Sequence, residues 1–342
     1  MLNPQNIILL TDRLAKNYKG LTYSYLKHFN SLGYNTSVIA FNTDERLYRY
    51  TKHFNILNRL YLEYLQRSIV QELKKKKVEF IFVIKGFYLL PKTIELIKEM
   101  GLKIICFNPD DPFSQITGSS NQNVKDCICL YDAYYIWSNK IREKLKNIGV
   151  ENAFYLPFYP DSNIMKPDDK KESIQSIDVS FIGNGDKERN QFLNQLGSSI
   201  GSLKYTSLVY GLGWNKVHGF NVKGQVYNNE FLSTIYKSKI NLNILRNQNK
   251  GAHNMRTFDI PACAGFMLHE YSDEVVGFFK PGKEIDTFNS VEECSDKIQY
   301  YLKNESIREK LALNGYNKLI TAKYNYESNI NSILDSLKIN NL

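Results

Sequence analysis

The residues best suited to chemistry crowd into one stretch, 239–270, which reads KINLNILRNQNKGAHNMRTFDIPACAGFMLHE. The run INLNI reads as a strand that delivers Asn243 and Arg246 at its carboxyl end. A polar loop with asparagine, glutamine, lysine, glycine and His253 follows and leads to Asn254. Thr257 fits the N-cap of a helix, which places Asp259 in the first turn and Pro261 near it, where a missing N–H costs little. Asp259 then has two readings. A carboxylate there is favoured by the helix dipole alone. A short acid in a first turn can also accept two hydrogen bonds from a ribose diol. In that second reading Arg246 and Arg256 neutralise a diphosphate, with first-turn N–H groups helping. Two arginines, two asparagines and an acid around one strand end are expensive to arrange for packing only.

Residues 178–189 (DVSFIGNGDKER) run from a strand through Gly183-Asn184-Gly185 into a helix. Glycines there let backbone N–H groups approach a phosphate, and Arg189 can reach the same anion. The third glycine of a dinucleotide fingerprint is missing, position 188 being Glu. The other reading is a tight turn, with Arg189 paired to Glu188 or Asp186. In the first half, 107–112 (FNPDDP) follows a strand. Asp110 and Asp111 there supply either a general base or an Asp/Pro turn. Asp12, just past the first strand, is a second base candidate, and Lys85-Gly86 ends another strand. The histidines show no metal-ligand spacing, and no metal site is expected.

The elements that must position these groups alternate. Strands are expected at 6–11, 35–41, 80–85, 103–107, 133–137 and 152–156, with helices at 20–32, through a long stretch ending near Lys77, from Pro91, and over 139–148. Tyr48, Tyr50, Tyr61 and Tyr64 read as packing residues of that long stretch, and Leu60, Tyr64, Leu65, Ile69 and Leu73 as its apolar spacing. Residues 161–176 are polar and aperiodic, a linker. A second set follows: strands at 178–182, 204–209, 221–225, 239–244, 266–269 and 284–288, helices from about Lys187, at 229–236 and from about Phe258, then mostly helix from Val291 to Leu337. Continuous apolar strands alternating with helices mean parallel sheets covered on both faces. The expectation is two doubly wound α/β domains, 1–160 and 177–322, with the ligand in a cleft between them and 323–342 packing back on the first.

A chain of 342 residues with 43% hydrophobic and 23% charged residues is an ordinary globular composition, which excludes wholesale disorder and rod-like folds. No stretch approaches a membrane helix and no signal peptide is evident, so a cytoplasmic protein is expected. Five scattered cysteines imply no disulfide framework. The net charge of +9 suits a polyanionic partner: nucleic acid, an anionic membrane face or phosphorylated small molecules. The cluster Lys74–Lys77 either complements a helix dipole or contacts a membrane or acceptor.

Residues 254–265 (NMRTFDIPACAG) and 279–284 (FKPGKE) resemble the C-terminal domain of GT-B glycosyltransferases, most of all the CgeB-like group. Upstream, 181–183 with Arg189, the KINLN run, Lys85-Gly86 and 110–112 look like the same group. The resemblance implies two Rossmann-like domains, a nucleoside-diphosphate-sugar donor (UDP-sugar foremost) held by the second domain, and an acceptor on the first. It further implies ribose binding at Asp259, where the group usually has Glu, and metal-independent transfer. Gly251 stands where retaining relatives carry another Glu, and 323–326 (KYNY) where the family often has His-Thr-Tyr. The alternatives are an epimerase acting on a nucleotide-sugar, a basic nucleic-acid-binding module and a DNA-modifying glycosyltransferase.

Overall fold

Strands that are apolar on both faces must be covered on both, and the chain supplies two sets of them. The structure, a computed structural model, describes residues 6–12, 20–41, 45–51, 53–115, 118–161, 176–201 and 204–339. The first set runs β1 (Asn6–Thr11), α1 (Leu21–Ser31), β2 (Asn35–Ala40), α2 (Glu45–Thr51), α3 (Asn55–Leu73), β3 (Phe80–Ile84), α4 (Pro91–Glu99), β4 (Lys103–Asn108), α5 (Gln122–Cys127), β5 (Ala133–Ile136), α6 (Asn139–Asn147) and β6 (Ala153–Tyr155). These strands form one parallel sheet in the order β2-β1-β3-β4-β5-β6. All of β3 is buried, as expected of a central parallel strand.

The second set runs β7 (Ile177–Ile182), α7 (Lys187–Ile200), β8 (Ser207–Tyr210), β9 (Asn221–Lys223), α8 (Asn228–Lys237), β10 (Ser238–Asn243), α9 (Arg256–Ala262), β11 (Met267–Glu270), α10 (Asp273–Phe278), β12 (Asp286–Phe288), α11 (Val291–Lys303), α12 (Glu305–Thr321) and α13 (Tyr326–Ile339). Its sheet is also parallel, ordered β12-β11-β10-β7-β8-β9. The chain divides into unit 1, residues 1–157 with 326–342, and unit 2, residues 158–325. Helix α13 packs on α1 within unit 1, where the Tyr326 ring meets Tyr25 edge-on at 4.9 Å. The polar stretch read as a linker, 161–176, lies almost entirely outside the described residues.

In doubly wound sheets the strand order reverses at one place, and loops diverge there to leave a crevice at the carboxyl ends. In unit 1 that place is between β1 and β3, and in unit 2 between β7 and β10. It sets Asp12 beside the Lys85–Tyr88 turn, and the Gly183–Gly185 turn beside Ile244–Arg246.

Two expectations about the long helical stretch are corrected. It is broken: Thr51 bonds its hydroxyl back to the Tyr48 carbonyl and Phe54 is extended, so α2 and α3 are separate helices. Its aromatic and apolar residues are also divided between two faces. Leu62, Leu65, Ile69 and Leu73 are buried, whereas Tyr50, Leu60 and Tyr64 are exposed and lie outside the core.

Candidate functional site

Unit 2 gathers its cations at the carboxyl ends of β7 and β10. Asp186 caps α7 by accepting the Arg189 N–H at 2.9 Å. Arg189 is buried and donates through Nε and Nη2 to the Ile244 carbonyl, at 3.1 and 2.6 Å, and through Nη1 to the Asn184 carbonyl at 3.1 Å. This clamp ties the end of β7 to the end of β10. The Asp186 carboxylate lies 3.8 Å from Arg189 Nε and 3.7 Å from Arg246 Nε. Of the two sequence readings for Arg189, the structure realises the paired one, with Asp186 as partner.

The Gly183–Gly185 turn is not an open phosphate cradle. The Gly183 and Gly185 N–H groups are donated to the Tyr210 and Leu212 carbonyls at 2.9 and 2.7 Å, and Asn184 Oδ1 accepts the Leu212 N–H. The glycines serve close backbone approach: a Cβ on Gly185 would lie 2.5 Å from the Gly213 oxygen.

Between β10 and α9 the loop is held by a buried polar scaffold. Asn243 and Asn254 exchange amide hydrogen bonds at 2.8 and 3.1 Å. Asn254 Oδ1 accepts the Thr257 N–H while Thr257 Oγ1 accepts the Asn254 N–H, the reciprocal geometry of a capping box. Asn254 therefore does the capping expected of Thr257, which lies inside α9. The His269 ring donates from Nδ1 to the Glu270 carbonyl, so its Nε2 accepts the Thr257 hydroxyl at 2.9 Å. His253 is fully buried. Its Nε2 accepts the Phe158 N–H at 3.2 Å, so Nδ1 carries the proton and donates to Glu274 at 2.8 Å. Burial lowers the pKa of both histidines, that of His269 to about 3, and keeps the rings neutral. Asn243, His253, Asn254 and Thr257, expected as ligand-binding residues, thus support the loop from within.

What the scaffold presents is Arg246, Lys250 and Arg256, all partly accessible. Arg256 lies 4.3 Å over the Phe231 ring and 2.5 Å from Asp259. Asp259 is only 3% exposed, and burial raises its pKa against the pull of Arg256. This corrects the expectation of an open ribose-binding carboxylate: the acid sits beneath Arg256 and orients it. Gly251 has φ +82°, a left-handed conformation that a glutamate would adopt only with strain. Two residues not singled out from the sequence join the site. Glu270, at the end of β11, accepts the Leu245 N–H at 2.8 Å and pairs with Lys250. A polar residue closing an apolar strand was the available signal. The cations crowd one another. Burial and then Arg189 lower the Lys250 pKa, while burial, Arg246 and Arg256 bring Arg189 down to about 10 despite Asp186.

In unit 1 the carboxyl ends of β1, β3 and β4 bring Asp12, Lys85 and Asp110 together. Asp12 accepts the Phe87 and Tyr88 N–H groups at 3.1 and 3.3 Å, and burial raises its pKa to about 6. Lys85 adopts φ +72°, strained for a non-glycine residue, and its Nζ lies 2.7 Å from Asp110. Asp111 accepts the Phe113 N–H at 2.8 Å, the Asp/Pro turn reading. Among the described residues no group of three or more His, Cys, Asp or Glu side chains is placed to hold a metal ion, and no helix is long and apolar enough to cross a membrane.

Two parallel six-stranded sheets, each covered by helices and each with a switch point, define the GT-B fold. A glycosyltransferase from Rickettsia africae ESF-5 superposes with a TM-score of 0.70 at 12% identity, covering 98% of this chain and 99% of that one. Sucrose-phosphate synthase from Thermosynechococcus elongatus gives 0.68 at 10% identity, with 98% of both chains covered. HepE from Anabaena, in complex with UDP-glucose, gives 0.68 at 11% identity over 97% of this chain and 99% of that one. Residues 189–335 match the family model described as glycosyl transferase-like, which marks a glycosyltransferase domain there. No curated protein sequence matches the chain.

Proposed function

We propose that this chain transfers a sugar from a UDP-sugar donor to a hydroxyl acceptor without a metal cofactor. One observation carries the reading: four cations, Arg189, Arg246, Lys250 and Arg256, converge on the switch point of unit 2, where, beside burial, Arg246 and Arg256 lower the basicity of Arg189 and Arg189 lowers that of Lys250. A diphosphate relieves that repulsion by accepting charge-assisted hydrogen bonds from the accessible members, Arg246, Lys250 and Arg256. As the sugar departs, the same cations neutralise the charge developing on the diphosphate. The UDP and UDP-glucose complexes of the structurally similar HepE support the choice of nucleotide. On unit 1, Asp12 is the preferred acceptor-activating base, because its carboxylate is raised toward neutrality while Asp110 is engaged by Lys85 and Asp111 by its own turn. The resemblance of 254–265 and 279–284 to the CgeB-like group supports the same activity. The nucleic-acid-binding reading has only the net charge behind it, and the epimerase reading only the fold.

Titration calorimetry tests the donor site. Arg246→Ala and Lys250→Ala are each expected to weaken UDP binding by about tenfold or more, since a charged hydrogen bond contributes about 1.5–3 kcal/mol. Unfolding temperatures should stay close to wild type. UDP-sugar should raise the unfolding temperature more than GDP-, ADP- or dTDP-sugars do. Wild-type UDP affinity in both variants overturns the assignment.

A further inference from the structure

Helix α3 carries an apolar surface that the fold leaves uncovered. Its inner face, Leu62, Leu65, Ile69 and Leu73, is buried, and Gln66 fastens it by donating to the Tyr88 carbonyl at 2.9 Å. Its outer face presents Ile56 (76% exposed), Leu57, Leu60 (57%) and Tyr64 (68%), at the three-to-four spacing that puts them on one side. Tyr50 of α2 and Phe54, their rings 5.6 Å apart, extend the exposed apolar surface. Isolated apolar residues on a surface need no explanation, but a contiguous stripe along a helix does.

The charge around the stripe says what covers it. Continuing down the same side of α3 come Arg67, Gln71, Lys74 and Lys75, all exposed, with Lys77 beyond. The acids nearby are engaged: Glu63 pairs with Arg59 at 3.0 Å and Glu72 with Lys76 at 3.2 Å. The face is thus apolar and aromatic at one end and net positive at the other. We infer that the outer face of α2 and α3 docks on an anionic lipid bilayer, with the Ile56–Tyr64 stripe in the headgroup–acyl boundary and the Arg67–Lys77 cations on the anionic headgroups. Aliphatic and tyrosine side chains beside lysines suit that interface. A nucleic acid has no use for Ile56, Leu57 and Leu60. Pairing two copies through this face would bring two net-positive surfaces together. The inference is independent of the donor site, which lies in unit 2.

Vesicle co-sedimentation decides it. The wild-type chain should sediment with vesicles of phosphatidylcholine containing one part in three phosphatidylglycerol, and stay in the supernatant with phosphatidylcholine alone. High salt should reduce the bound fraction. The triple variant Leu57→Glu, Leu60→Glu, Tyr64→Glu and the double variant Lys74→Gln, Lys75→Gln should each lower binding by about tenfold or more while UDP affinity is unchanged. If the triple variant does not fold, the double variant at the exposed helix end decides alone. Failure of wild type to bind the anionic vesicles overturns the inference, as does undiminished binding by the double variant. A wild-type dimer that the triple variant converts to monomer likewise assigns the face to a second copy.

Discussion

At Asp12, burial and hydrogen bonding pull in opposite directions. Two backbone N–H groups and the nearby Lys85 favour the charged carboxylate, yet burial outweighs them and the pKa rises to about 6. A group poised there is ionised at neutral pH and takes a proton readily from an acceptor hydroxyl. The rate of sugar transfer should fall on acidification, with an apparent pKa of about 6 in kcat/KM. Asp12→Asn should remove that limb and cut kcat/KM by ~10²–10⁴-fold. A raised carboxyl pKa also links to stability: the folded state holds the proton more tightly than the unfolded one. Wild type should therefore lose stability relative to Asp12→Asn as pH rises from about 4 to about 6, by at most ~3 kcal/mol. Parallel urea titrations at the two ends of that window check the slope, and a slope of the opposite sign refutes the burial argument. The residue types of both sites were legible in the sequence, because acids and arginines at strand ends are chemically conspicuous. Their depth was not. Nothing in the letters around Asp259 or His253 says that the first lies under Arg256 and the second among Phe158, Phe258 and Phe278. Burial of a side chain depends on what other elements bring over it.

Among the elements, the paired turns after β7 and β8 are tightly constrained. Gly211 has φ +142°, and a Cβ there would lie 2.2 Å from the Gly183 oxygen. Gly211→Ala combines backbone strain with a clash against main chain, which cannot swing aside as a side chain does. It should destabilise unit 2 by more than about 2 kcal/mol. It should also weaken UDP binding, because the turn positions Arg189 and Asp186. Gly224→Ala, whose Cβ meets nothing within 4 Å, is the control and should cost little. Thermal unfolding of the two variants side by side gives the comparison. Strands were the most legible elements, and β1 spans the expected 6–11. Runs such as FIFVI have no polar face, so only burial on both sides suits them. Helices α5 and α10, six residues each, escaped notice because they are too short to show a period. The break between α2 and α3 was equally hidden, since a Thr–carbonyl bond and one extended residue leave the apolar spacing nearly intact.

At the scale of the whole molecule, unit 1 closes with a helix drawn from the far end of the chain. Ile330 and Ile333 of α13 are fully buried, Asn329 donates to the Pro157 carbonyl at 2.8 Å, and the Tyr326 ring stacks on His28 at 5.0 Å. Unit 1 therefore cannot complete its core until residues 326–339 have been made, whereas unit 2 lies within one continuous stretch, 158–325. Its own apolar clusters, around Leu193 and Ile240 and around Phe258 and Phe279, draw on that stretch alone. Truncating a buried isoleucine to alanine costs about 2–5 kcal/mol, so the double variant Ile330→Ala, Ile333→Ala loses an amount comparable to a domain's whole stability. Unit 1 should melt first and separately. The higher transition, belonging to unit 2, should remain and should still rise with added UDP. Calorimetric scans with and without nucleotide read both effects at once. A single cooperative transition that UDP moves as a whole would show that the loss of α13 propagates into unit 2. The two cores would then have to be treated as one thermodynamic unit.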